Sequence, residues 1–339
     1  MLAPAQPCIG SDLDASLPAA FADFDEELRQ IPAGAPGKVG TLSLGFERKG
    51  GRTQLSHLHS SGPQRVHRVL YLDDALPDMA VVFIQSVGGG ILQGDRLWIE
   101  IDVAPGARAL VTTQSATKVY RMERNYATLL TDVRVDRGAY LELVTDYFIP
   151  FRGSRLYNQT SCEVHTDGTF VYSEAVTPGR VAFGEKFEYQ IFYSRFTVRD
   201  FHARLRCADT MVLTPRTVDP HRPGILGPRN DLGSLYVLTR AAEAGALANA
   251  IRESVILRPS VDAAVSTLPH MDGAFARILG DDQSSVQLGV HQAWTGARRK
   301  ILDAQLPPLH RIKYGFDLPH TSASASNGTT PPGDGSLPA

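Results

Sequence analysis

Six carboxylates interrupt the most sheet-like part of the sequence: Asp95, Glu100, Glu142, Asp146, Glu174 and Glu185. An acid on a strand ordinarily faces water, and that reading covers most of the six. Asp95, Glu174 and Glu185 differ, because each sits beside apolar or glycine-rich chain at a strand end. A charge in that setting is costly unless it has a partner. Arg121, Arg152, Arg155 and Arg180 are the nearest counter-ions in the sequence. Two chemistries stay open, an internal arginine–carboxylate network and a track that handles a metal cation.

Other motifs point less far. Val87-Gly88-Gly89-Gly90 follows an apolar strand, and small residues let backbone N–H groups approach an anion. A phosphate loop of the Gly-Lys-Ser/Thr kind needs a lysine where Asp95 stands, and Gln93 occupies the third glycine of a dinucleotide fingerprint. A strand-joining loop with a fixed Asp95 is the better reading. His57 and His59 alternate, which puts both imidazoles on one face of a strand, with His67 nearby. No third ligand is marked by spacing. Cys162 and His165 lie three apart, so strand geometry turns them to opposite faces and no nucleophile–base pair is expected. G-x-S-x-G and H-E-x-x-H are both absent from the sequence.

These residues are carried on strands. Between residues 38 and about 237 the sequence alternates apolar and polar residues in short β-branched and aromatic runs, as in Leu97–Val103. Further runs are Val39–Glu47, Arg65–Leu72, Ala80–Gln85, Arg108–Thr113, Thr128–Val135, Tyr140–Val144, Leu156–Val164, Phe170–Val176, Lys186–Tyr193, Phe196–Leu205 and Met211–Leu213. Gly, Pro and Asp punctuate them at intervals of ~10 residues, which favours an all-β stack, barrel or sandwich over βαβ units. The sequence shows no fixed-period repeat, so a propeller or a regular solenoid has no support at this level. Helical periodicity enters late, at 240–253 and at 284–302, the second behind a serine N-cap. A strand or hairpin over Ala263–Leu279 separates them. The fold class is therefore mainly β, with a smaller C-terminal α/β portion.

The whole chain has 339 residues, with 34 Lys+Arg against 36 Asp+Glu and 43% hydrophobic residues. That balance excludes wholesale disorder and argues against a nucleic-acid binder. No apolar run reaches the ~18 residues of a membrane span. Cys8, Cys162 and Cys207 are too few and too scattered for a disulfide framework, and the N-terminus has no basic n-region or apolar h-region. A reducing cytoplasm is the expected compartment. Residues 1–36 read as a flexible extension with one short helix over Leu17–Ile31, and 317–339 as a disordered tail rich in Ser, Thr, Gly and Pro. The folded part is expected over 37–316.

Two blocks then become specific together: Gly89-Gly90-Ile91-Leu92-Gln93-Gly94-Asp95-Arg96-Leu97, and Ala116-Thr117-Lys118-Val119-Tyr120-Arg121 within Gly106–Arg121. With Ile149–Arg155, Pro178-Gly179-Arg180 and Gly184-Glu185, in this order and at these separations, the sequence resembles the urease accessory protein UreD (also called UreH) family over residues 38–315. The resemblance implies a helically stacked β-structure, a β-helicoid with a few helices, and a non-enzymatic role in urease maturation. It implies a hetero-oligomeric assembly with the accessory protein UreF and the GTPase UreG, docked on apo-urease. It further implies no tightly bound cofactor and transient passage of nickel through an acidic internal tunnel. Asp95 matches the family's G-G-D aspartate and Glu174 the acid before the P-G-R block. Asp146 lies where an acid is usual, but Thr145 and Tyr147 replace its flanking prolines. An acid common near the end of the 196–206 strand is replaced by basic Ala203–Arg206. Cysteine-poor, acid-lined strands agree with a passage, since isolated carboxylates hold Ni²⁺ weakly while imidazole and thiolate retain it. The competing class is a metal-dependent hydrolase on a β-fold using His57 and His59, and a third is a sheet-edge binding module with no metal role.

Overall fold

The computed structural model describes residues 17–24, 26 and 37–314 of the chain. In chain order its strands are β1 (Val39–Lys49), β2 (Arg52–Ser61), β3 (Gln64–Arg65), β4 (Ala80–Ser86), β5 (Arg96–Val103), β6 (Arg108–Thr113) and β7 (Thr117–Val119). Next come β8 (Ala127–Val135), β9 (Tyr140–Val144), β10 (Phe148–Pro150), β11 (Arg155–Val164), β12 (Thr169–Val176) and β13 (Ile191–Arg199). The last are β14 (Leu205–Leu213), β15 (Asp231–Leu238), β16 (Val261–Thr267) and β17 (Gly273–Gly280).

From β4 to β13 the main strands alternate between two sheets. In one, β1, β5, β8, β11 and β13 run parallel, and antiparallel β2 and β14 close its ends. In the other, β4, β6, β9 and β12 run parallel, continued by antiparallel β15, β17 and β16. The result is a β-solenoid of about four turns, with helices at its C-terminal end. Alternation explains the stacking. β5 buries Leu97, Ile99, Ile101 and Val103 and turns Trp98, Glu100 and Asp102 away. Facing residues such as Val82, Val111, Leu141 and Phe170 complete one continuous apolar core between the sheets.

The missing sequence repeat is thereby corrected. Strands β5, β8, β11 and β13 begin at residues 96, 127, 155 and 191, so turns of unequal length stack without a fixed period. Backbone pairing sets the repeat, and loops absorb the differences. The strand expected over Arg65–Leu72 shrinks to β3 plus a single bridge from Leu70 to Val81. The expected strands at 186–193 and 196–205 fall together largely on the single strand β13, and the expected Met211–Leu213 is the end of a longer β14. Polar β2 gave no alternation to read.

Helices α1 (Ala244–Ser254) and α2 (Gln283–Leu302) pack on β15, β16 and β17. Gly233 of β15 permits this approach, since a Cβ there would stand 2.7 Å from Val286 and 2.8 Å from Val290. The N-cap of α2 is Asp282, which accepts from the Ser285 amide at 2.9 Å, rather than a serine. Residues 308–314 belong to a separate unit, in which Leu309–Tyr314 is a short helix, α3.

The N-terminal extension differs from expectation where it is described. Residues 19–24 form a 3₁₀ turn, and Phe21 is 1% exposed, with its ring against Tyr126, Tyr157 and Tyr193. Most of the rest of the extension, and the tail from 317, lie outside the described residues.

Candidate functional site

Asp95 closes the turn after the triple glycine. Its Oδ2 accepts from the Leu92 amide at 2.8 Å and its Oδ1 from the Lys38 amide at 3.1 Å. It is 2% exposed, and burial raises its carboxyl above the ordinary value against the pull of those amides. The residue thus pins the 88–95 loop to the start of β1. The loop is tight: a Cβ at Gly90 would lie 2.5 Å from the Lys118 carbonyl oxygen.

Glu174 lies in the second sheet and faces the first. Its Oε2 accepts from Asn158 Nδ2 at 2.7 Å, Ser194 Oγ at 2.5 Å and Tyr172 Oη at 3.2 Å. Strands β11, β12 and β13 together supply these donors. Burial raises the Glu174 carboxyl, and hydrogen bonds from the three side chains and the charge of Arg277 oppose the shift. Asp146, in the loop after β9, is also buried, and its amide donates to Thr113 Oγ1 at 2.8 Å.

A cavity of about 170 Å³ lies between the sheets. Gly89, Gly90 and Lys118 line one part, and Asn158, Thr160 and Tyr172 another. Asp95, Asp146 and Glu174 do not line it themselves. Glu174 meets it through Asn158 and Tyr172, which do. The three expected acids therefore share no single coordination shell.

The water-facing reading needs correction at Asp146 and at Glu142. Glu142 is 0% exposed and accepts from Tyr140 Oη at 2.7 Å and Trp294 Nε1 at 2.8 Å. Arg298 of α2, also fully buried, stands 3.5 Å from Glu142 and pairs closely with Asp73. Glu185 pairs with Arg180, whose hydrogen bonds hold its carboxyl below the usual range. Of the six, Glu100 alone is not buried. Sequence reading found the Arg180–Glu185 candidates but missed Arg298, because the helix and strand that bring it to Glu142 are far apart in the chain.

A second acidic surface arises purely from parallel pairing. Glu100 stands opposite Asp132, and with Asp102 and Glu163 they line a groove of about 740 Å³ on the outer face of the first sheet. Arg134, Arg199 and His57 share it. His57 and His59 do occupy one strand, β2, opposite Gly45 and Ser43, and both are exposed. Among the described residues no group of three or more His, Cys, Asp or Glu is placed to hold a metal ion. Cys162 and Cys207 are buried free thiols raised by burial, and His165 Nδ1 instead accepts from the Asp167 amide at 3.0 Å.

Comparison with known proteins decides the family. The family model described as UreD urease accessory protein matches residues 38–314. The chain belongs to the UreD urease accessory protein family. It is 36% identical over 289 residues to the urease accessory protein UreD of Photorhabdus laumondii, covering 85% of this chain and 90% of that protein. It is 37% identical over 294 residues to UreD of Haloarcula marismortui, covering 87% and 97%. Urease accessory protein UreD 2 of Brucella canis is 34% identical over 289 residues, covering 85% and 96%. Family members are accessory proteins of urease maturation and not enzymes, which overturns the alternative of a hydrolase built on His57 and His59. Among the described residues no helix is long and apolar enough to cross a membrane.

Proposed function

We propose that this chain is a cytoplasmic scaffold that joins UreF and the GTPase UreG on apo-urease, and that nickel crosses it between the two sheets. The observation that carries this reading is the inter-sheet cavity with Glu174 behind it. Apart from Lys118 at the glycine-loop end, its polar wall consists of neutral hydroxyl and amide groups such as Thr131, Asn158 and Thr160, which exchange a divalent cation readily, whereas a nest of imidazoles or thiolates would retain it. Passage requires that the ion be attracted and still leave. Glu174 supplies attraction in a buried site where charge acts strongly. Asp95 shapes the glycine loop at one wall, and Asp146 flanks the strand ends at another. Both belong to the proposed path, Asp95 through the loop it holds.

The test is reconstitution of urease activation with purified UreF, UreG and apo-urease. Glu174→Gln keeps the shape of the site and removes its charge. The variant is expected to assemble normally, with the initial rate of nickel incorporation into urease falling roughly tenfold, on the scale of ~1.4 kcal/mol per factor of ten. Assembled complexes that load nickel at the wild-type rate would refute the conduit.

A further inference from the structure

A groove of about 670 Å³ runs between the loop after β12 and the N-terminal end of α2. One bank is the tied loop Pro178–Phe187. Phe187 N–H donates to the Pro178 carbonyl at 2.7 Å, Gly184 N–H to Val181 at 2.9 Å, and Phe183 N–H to Arg180 at 2.8 Å. This well-held turn presents Val181 at 59% and Phe183 at 77% exposure. The Arg180 guanidinium lies over the rings of both Phe151 and Phe183, at 4.2 and 5.1 Å, and is itself fixed by Glu185. An apolar knob is thus immobilised in water, where its own chain gains nothing from burying it.

The floor carries the complementary feature. Asp231, at the start of β15, is 3% exposed and lines the groove, yet its Oδ1 has no hydrogen-bond partner among the described residues. The neighbouring Asn230 Oδ1 is likewise buried and unpartnered. Lys186 attends Asp231 by charge alone, with no ion pair within 4.0 Å among the described residues, and Asp282 adds further negative charge. Buried acceptors normally find donors, so two adjacent unmet acceptors beneath an exposed aromatic mark a place where a donor arrives from outside.

We infer that this groove docks a protein segment presenting an arginine beside an apolar side chain, supplied by a partner of the maturation assembly. The guanidinium fork meets Asp231 and Asn230, and the apolar side chain packs on Phe183 and Val181. Arginine fits because its planar donors can serve two acceptors at once, and Tyr120 and Tyr147 of the walls suit its stem. The inference rests on the proposed scaffold role.

The experiment titrates the full-length chain with purified UreF and, separately, with apo-urease, and reads Kd by interferometry. Two variants are compared with wild type. Phe183→Ser changes a solvent-exposed side chain and leaves the core intact, and Asp231→Asn is isosteric. Each is expected to weaken binding to one of the two probes at least tenfold while melting no lower than wild type. Wild-type binding with both variants unchanged overturns the groove and leaves the scaffold role standing. A wild-type chain that binds neither probe overturns the scaffold role and the groove with it. Loss of self-association alone, seen by sedimentation, assigns the groove to a second copy of this chain and also overturns the inference.

Discussion

At the scale of single residues, burial without compensation is the recurring theme, and Asp231 shows it most clearly. Desolvation raises its carboxyl to about 7. A folded-state value above the unfolded one means that the native protein holds an extra proton between about pH 4 and 7. Stability from this group is therefore full at low pH and falls as pH rises through that window. Asp231→Asn removes the penalty, so at pH 7.5 the variant should be more stable by on the order of 2 kcal/mol. The gain should vanish at pH 4, and urea denaturation at the two pH values checks both limbs. A gain that is the same at both would mean that the side chain's charge is not the cause. Cys162 makes the opposite forecast. Its thiol is buried in the core and raised far above reactivity, so Cys162→Ala should cost about 1–2 kcal/mol and leave urease activation per folded molecule unchanged. Lost activation in a folded Cys162→Ala protein would contradict the non-catalytic role.

At the scale of elements, sequence alternation disclosed most strands and hid the partners that matter. β5 and most of β8 were legible because they bury every second residue, and β6 and β9 because they are short, almost wholly buried runs between turn residues; all four bounds agree within a residue. The polar strand β2 and the short β3 were not, since an edge strand facing water on one side carries no apolar rhythm. Asp95 was legible as a fixed turn residue because glycine-rich sequence surrounds it. The Glu174 cluster was only half legible, because Asn158 and Ser194 reach it from a facing sheet and nothing in the local sequence announces them. Arg298 was illegible for the same reason. It ties α2 to Asp73 and to Glu142 of β9, so Arg298→Ala should strand two buried carboxylates and cost about 3–5 kcal/mol. Arg298→Met with both acids neutralised, Asp73→Asn and Glu142→Gln, should recover much of that loss in thermal melts, and failure to recover would show that packing rather than charge dominates. Phe21 makes a similar point at the N-terminus. Cutting residues 1–16 should be tolerated, whereas Phe21→Ala should destabilise by about 3 kcal/mol because its ring fills a site among three tyrosines.

At the scale of the whole molecule, a parallel solenoid has to be finished at both ends and defended at its surface. Antiparallel β2 and β14 terminate one sheet, and the β16–β17 hairpin beneath α1 and α2 terminates the other. Parallel pairing also gathers Glu100, Asp132 and Glu163 on one outer face, while Val181 and Phe183 stand exposed on another. Charge is thus locally strong, yet the chain as a whole carries a formal net charge of only −2, with a pI near 6.6. Little net repulsion then opposes contact between exposed apolar side chains, and colloidal stability falls toward the pI. The isolated chain should self-associate most strongly near pH 6.6 and least near pH 8.5, as read by static light scattering at constant ionic strength. Phe183→Ser should reduce the scattering at pH 6.6, and co-expression with UreF should raise the soluble yield by covering apolar surface. The two effects overlap if they act on one surface: in the Phe183→Ser background, UreF should add less to soluble yield than it adds to wild type. Equal gains in both backgrounds would place UreF on a different part of the solenoid.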